Sequence, residues 1–122
     1  MVLALLTGCA SVSPTYLDST VSTSTSGTHV VSVERGKHFG IDNVPLVVFM
    51  DGKEVALLGG GQTITLNVKD GRHIIGVAPK TTSDHGADSS IAIDVSAESQ
   101  PILRTNVAAW GWAGWVIERV KD

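Results

Sequence analysis

The chain has a single cysteine, Cys9, so it cannot close a disulfide within itself. It also lacks a run of about 18 apolar residues, so nothing in it is expected to span a bilayer as a helix. There is no basic block. Nine Lys plus Arg stand against twelve Asp plus Glu, a net charge of −3 spread along the chain, which removes nucleic acid from the expected partners. The four histidines show neither H-x₃-H nor H-E-x-x-H spacing, and with no second cysteine the common zinc patterns are missing. Serine is abundant, but no G-x-S-x-G elbow holds one of them. The expectation is one domain that carries no metal or cofactor and is not an enzyme; 122 residues suffice for one ordinary core.

What is present begins with "LLTGCASVSP". Leu6, Thr7 and Gly8 ahead of Cys9 resemble the lipobox of bacterial lipoproteins: an apolar residue at −3, then small residues that admit a signal peptidase to the scissile bond. The resemblance implies cleavage before Cys9 and a diacylglycerol thioether on its sulfur. Several acyl chains anchor a protein firmly, at about 0.8 kcal/mol per buried methylene. Secretory signals carry a cationic start and an apolar core of about 7 to 15 residues. Only eight uncharged residues precede Cys9, so a start upstream of Met1 or a shortened front is expected. Ala10 and Ser11 follow with no aspartate, which by the same resemblance favours the outer membrane, with the domain facing the periplasm or the cell surface. From Ser11 to Thr28, eleven of eighteen residues are Ser or Thr. Such a tract has too little to bury and reads as a flexible linker, in whose first half the only bulky residues, Tyr16 and Leu17, dock back on the domain or on nothing. The expected organisation is a residual signal segment at 1–8, the lipidated cysteine and linker at 9–28, and a folded domain at 29–122.

From His29 onward the apolar residues recur with period two, and Gly and Asp punctuate them every eight to twelve residues, which argues for strands. Eight are expected, near 29–34, 45–50, 53–58, 62–68, 72–78, 89–96, 101–108 and 114–120. Asp51-Gly52 and Asp70-Gly71 each separate apolar runs, and Asp-Gly suits a two-residue type I′ hairpin, where both positions need positive φ. In the first hairpin Val48 then faces Val55 and Leu46 faces Leu57. In the second, Val68 faces His73, Leu66 faces Ile75 and Ile64 faces Val77. Ile91, Ile93 and Val95 add to the same core, while Val47 and Phe49 mark a strand covered on both sides. Strands with one apolar face each must stack, so a small antiparallel β-sandwich is expected.

The stretch from Val31 to Pro79, with Arg35, Gly36-Lys37, Phe39-Gly40, "VVFMDGKEVALL", "TITLNV" and "DGRHIIGV", resembles small bacterial envelope lipoproteins with PEGA-like or related β-sandwich domains. It covers about 50 of the 122 residues, with Asp70-Gly71 standing where proline-glycine is usual. The resemblance implies an immunoglobulin-like or PEGA-like sandwich and a surface or accessory role with no shared catalytic motif.

Other stretches hold residues capable of chemistry. "SDHGAD" brings Asp84, His85 and Asp88 together, a pattern commoner in exposed loops than in metal sites. "LLGGGQT" lacks the Lys-Ser/Thr of a P-loop and reads as a connection between strands. His73 shares the apolar parity of its strand, which suggests a hydrogen-bonded residue at a strand end. Trp110, Trp112 and Trp115 lie within six residues and are either a recognition surface for a partner or the packing that closes one end of the sandwich, with packing favoured for at least two because the rest of the chain has only two Phe and one Tyr. The functional expectation is a membrane-anchored, non-catalytic binding or structural lipoprotein whose partner is another envelope protein or peptidoglycan. The alternative is an inhibitor of the immunity or phage-exclusion type on the same architecture.

Overall fold

A computed structural model describes residues 14–37, 43–107 and 114–121. The protein is an all-β sandwich of two sheets. One has five strands in the order β1-β4-β3-β6-β7, the other four in the order β5-β2-β8-β9. The strands are β1 (Thr15–Tyr16), β2 (Thr28–Arg35), β3 (Leu46–Met50), β4 (Lys53–Leu58), β5 (Thr63–Lys69), β6 (Gly71–Pro79), β7 (Ser89–Val95), β8 (Ile102–Val107) and β9 (Trp115–Lys121). All eight expected strands are present, and β1 is additional. Two short 3₁₀ helices, Ser19–Ser22 and Lys80–His85, complete the described elements.

Alternation dictates the core. Val31 and Val33 of β2, Ile64, Leu66 and Val68 of β5 and Leu103 of β8 project from one sheet. They meet Leu46 and Val48 of β3, Val55 of β4, Ile75 and Val77 of β6, and Ile93 and Val95 of β7. At about 1.5 to 3 kcal/mol for each fully buried aliphatic side chain, this interface is the main stabilising term. Val47, Phe49 and Ala78 form a second buried cluster with Leu57, so β3 is covered on both faces as its sequence suggested.

The Asp51-Gly52 turn matches expectation, with φ of 52° and 86° at its two residues. The register beyond it does not. Met50 pairs with Lys53 and Phe49 with Glu54, but Val48 pairs with Ala56 and Leu46 with Leu58. Val55 is the extra residue of a β-bulge, which shifts β4 by one and turns Leu57 to the outer cluster. "VALL" is apolar at every position, so patterning alone cannot reveal the slip.

Asp70-Gly71 is not a hairpin turn. Among the described non-glycine residues only Asp51 has positive φ, so Asp70 cannot take the first position of a type I′ turn. The chain instead crosses between sheets here: β5 pairs along its length with β2, from Thr28↔Lys69 to Glu34↔Thr63, and β6 pairs with β3 and β7. Ile64, Leu66 and Val68 share one core with Ile75 and Val77, but from opposite sheets rather than along a ladder. The sandwich is also mixed rather than purely antiparallel, because β2 and β8 run parallel from Ser32↔Ile102 to Arg35↔Thr105.

The segment expected to be a free linker up to Thr28 is folded onto the domain from Thr15. Thr15 and Tyr16 pair with Leu57 and Ala56 at the edge of β4. Tyr16 donates its hydroxyl to the carbonyl of Thr65 on the other sheet, at 2.7 Å. Asp18 caps the first 3₁₀ helix, which delivers Val21 into the core at 2% exposure. Composition predicted disorder because this tract offers few apolar groups. One well-placed valine and a set of side-chain hydrogen bonds suffice, since the sandwich is already there to receive them.

Candidate functional site: the two polar centres of the sandwich

Of the three tryptophans, candidates for packing or for a recognition surface, Trp115 is the one among the described residues. Trp115 opens β9 and packs half-buried against the core, with Arg35 over its ring, the guanidinium carbon 4.7 Å from the centroid. Arg35 closes β2 and is 2% exposed. Its Nη1 donates to the carbonyl of Val44 at 2.6 Å and to that of Leu58 at 2.8 Å, tying the turn before β3 to the end of β4. Its parity with Val31 and Val33 points it inward, a signal present in the sequence that the placing of the strand end at residue 34 concealed. Beside it, Thr105 is fully buried and donates its hydroxyl to the carbonyl of Val116 at 2.8 Å. The glycine-rich connection from β4 to β5 is closed by its own groups: Gly59 N–H donates to Gln62 Oε1 at 2.6 Å and Gln62 N–H to Gly59 O at 3.1 Å. A phosphate cradle would need those donors free. This end of the sandwich is therefore a built platform, with Trp115 as a wall held between cation and core. Trp110 and Trp112 lie outside the described residues.

The second polar centre joins the two Asp-Gly corners. His73 Nδ1 lies 2.7 Å from Asp51 Oδ2, and its Nε2 lies 2.9 Å from the carbonyl of Lys69. A carboxylate and a carbonyl are both acceptors, so both contacts are satisfied only when both ring nitrogens carry hydrogen. Burial disfavours the Asp51 carboxylate, but the hydrogen bond from His73, the N–H of Ile74 at 2.9 Å and the imidazole charge outweigh it and hold its pKa below the ordinary value. His29 of β2 pairs with Asp70, the first residue of the crossover. Next to His73 a cleft of about 360 Å³ opens between the first 3₁₀ helix and β5, with Thr28, Met50, Asn67 and Lys69 among its walls. Its polar groups are largely engaged already: Asn67 Nδ2 donates to Val21 O at 3.1 Å and Thr28 Oγ1 to Thr25 O at 2.7 Å.

Asp84 and His85 of "SDHGAD" are exposed side chains 3.7 Å apart in the second 3₁₀ helix. Among the described residues no group of three His, Cys, Asp or Glu side chains could hold a metal ion. Cys9 and the lipobox residues Leu6, Thr7 and Gly8 lie outside the described residues. No protein-family model, curated protein or solved structure matches the chain.

Proposed function

We propose that the protein is an envelope lipoprotein, anchored by acyl chains on Cys9 at the outer membrane, whose β-sandwich is a non-catalytic binding or structural module. The observation that carries the reading is Leu6-Thr7-Gly8-Cys9 holding the only cysteine of the chain. The polar centres support the non-catalytic part. Arg35 is spent on two carbonyls and an aromatic face, and His73 on a carboxylate and a carbonyl, so both fasten the fold. A surface held this rigidly suits recognition, because little ordering entropy remains to be lost on binding. The partner would be another envelope protein or peptidoglycan, met at the Trp115 end.

The test is palmitate labelling in a host that processes lipoproteins. The wild type should incorporate label and fractionate with membranes, and Cys9→Ser should do neither. Membrane retention of Cys9→Ser, or an unlabelled wild type, refutes the anchor. Crosslinking and pull-down from membranes with the lipidated form then identify the partner.

A further inference from the structure

The linker on which the lipid reading relied is mostly consumed by the domain. From Cys9 to Thr28 there are nineteen residues, a maximum reach of about 65 Å, whereas from Cys9 to Thr15, where β1 begins, there are six, a reach of about 20 Å. That is no more than the length of a seven-residue strand such as β9, at about 3.3 Å per residue. A domain tethered so closely cannot stand off from its anchor by its own dimension. It must rest near the bilayer on the side where β1 lies.

That side has the chemistry of a lipid contact. Tyr16 is 37% exposed and Leu17 45%, adjacent in sequence and first in line after the anchor. Around them the first 3₁₀ helix and the neighbouring edge strand β5 present mainly hydroxyls: Ser19, Thr20, Ser22, Thr23, Thr63 and Thr65. The acid at this edge, Asp18, is matched by Lys53 at 2.9 Å. The opposite edge of the same sheet, β7 and its flanks, carries the exposed acids Asp84, Asp88, Asp94 and Glu98 against the exposed cations Arg72, 3.7 Å from Asp94, and Lys80, a net negative edge that an anionic headgroup layer would repel. With its hydroxyl satisfied by the Thr65 carbonyl, the Tyr16 ring beside Leu17 on a surface of hydroxyls suits the headgroup boundary, where aromatic and aliphatic side chains bury their apolar bodies.

We infer that the β1 edge, through Tyr16 and Leu17, is a lipid-contacting surface that lays the sandwich on its side against the membrane and turns the acidic β7 edge away. The inference rests on the reading that Cys9 carries the anchor, but its test does not need cellular lipidation. Cys9 of the full chain is coupled to a maleimide-headgroup lipid in vesicles of phosphatidylethanolamine and phosphatidylglycerol. Hydroxyl-radical modification is then compared with that of the same chain capped by a soluble maleimide. Modification of Tyr16 and Leu17 should fall several-fold on the vesicles, while Val116 on β9 and Ile74 on β6 keep their soluble rates. Unchanged rates at Tyr16 and Leu17, or equal protection at all four residues, overturn it. An unlabelled wild type in cells instead overturns the anchor, which separates the two failures.

Discussion

The carbonyl of Val55 accepts the backbone N–H of Leu17 at 2.8 Å and also that of Asp18 at 3.3 Å. Val55 is the extra residue of the β4 bulge, so the irregularity that shifts the hairpin also offers the carbonyl on which the N-terminal segment docks. The bulge, the short edge strand and the buried Val21 are thus one device. Val21→Ala should cost about 1 to 3 kcal/mol, since it leaves a hole where a fully buried branched side chain sat. Leu17→Ser, which keeps the backbone bond and changes only an exposed side chain, should fall within about 0.5 kcal/mol of wild type. Urea denaturation of both variants checks this; equal effects would show that the segment is not part of the cooperative fold.

Asp18 makes acid stability depend on the same segment. Hydrogen bonds from the Thr20 hydroxyl at 2.7 Å, from Lys53 and from the Thr20 N–H at 3.0 Å outweigh burial and lower its pKa to about 2 from 3.8. A carboxyl depressed in the folded state contributes stability that is fully present above its unfolded value and is lost as pH falls through the folded one. The contribution should therefore disappear between about pH 4 and about pH 2. Asp51, depressed by His73, acts in the same direction. Asp18→Asn should flatten the acid limb of the stability curve, and Asp84→Asn, an exposed control, should leave it unchanged. Identical acid limbs in wild type and Asp18→Asn would refute the assignment.

Strand positions were legible because period-two alternation is dense from Val31 to Val95, and the apolar parity sets predicted to be inside are inside except in β4, where the bulge at Val55 turns Leu57 to the outer cluster. Which strands pair was less so. Alternation places Ile64, Leu66 and Val68 on the core side equally well whether β5 pairs with β6 or with β2, and the Asp-Gly dipeptide gives the same cue at a hairpin and at a crossover. The docking of residues 15–28 was hidden by composition, although "LDST" carries a capping aspartate two residues before the threonine whose N–H it accepts. Arg35 was missed as a core residue because charge argues for solvent, and only its carbonyl partners, distant in sequence, make burial tolerable.

Arg35 holds the Trp115 end together, and its removal should show it. Arg35→Met fills much of the same volume but leaves the carbonyls of Val44 and Leu58 without that donor, at about 1 to 3 kcal/mol for each buried acceptor. The variant should lose about 3 kcal/mol and shift the tryptophan emission as the cation leaves the ring. Arg35→Lys keeps the charge but not the planar fork, and should fall between the two. Wild-type stability in Arg35→Met would mean that the two carbonyl bonds do not hold this end.

The two Asp-Gly corners give a final test, since the same dipeptide has different roles. Asp51 takes positive φ, accepts the Ile74 N–H and pairs with His73. Alanine there keeps the strained backbone and removes both partners. The left-handed strain is common to both residues, so the difference is the two hydrogen bonds lost from a half-exposed carboxylate, and Asp51→Ala should cost about 1 to 2 kcal/mol. Asp70 has no positive φ, and its carboxylate, 68% exposed, pairs with His29 in a largely wet setting. Asp70→Ala should therefore cost less than about 1 kcal/mol. Parallel urea titrations compare the two. If Asp70→Ala were the more damaging, the crossover would be behaving as the type I′ hairpin its sequence resembles, and the assignment of β5 and β6 to separate sheets would fail.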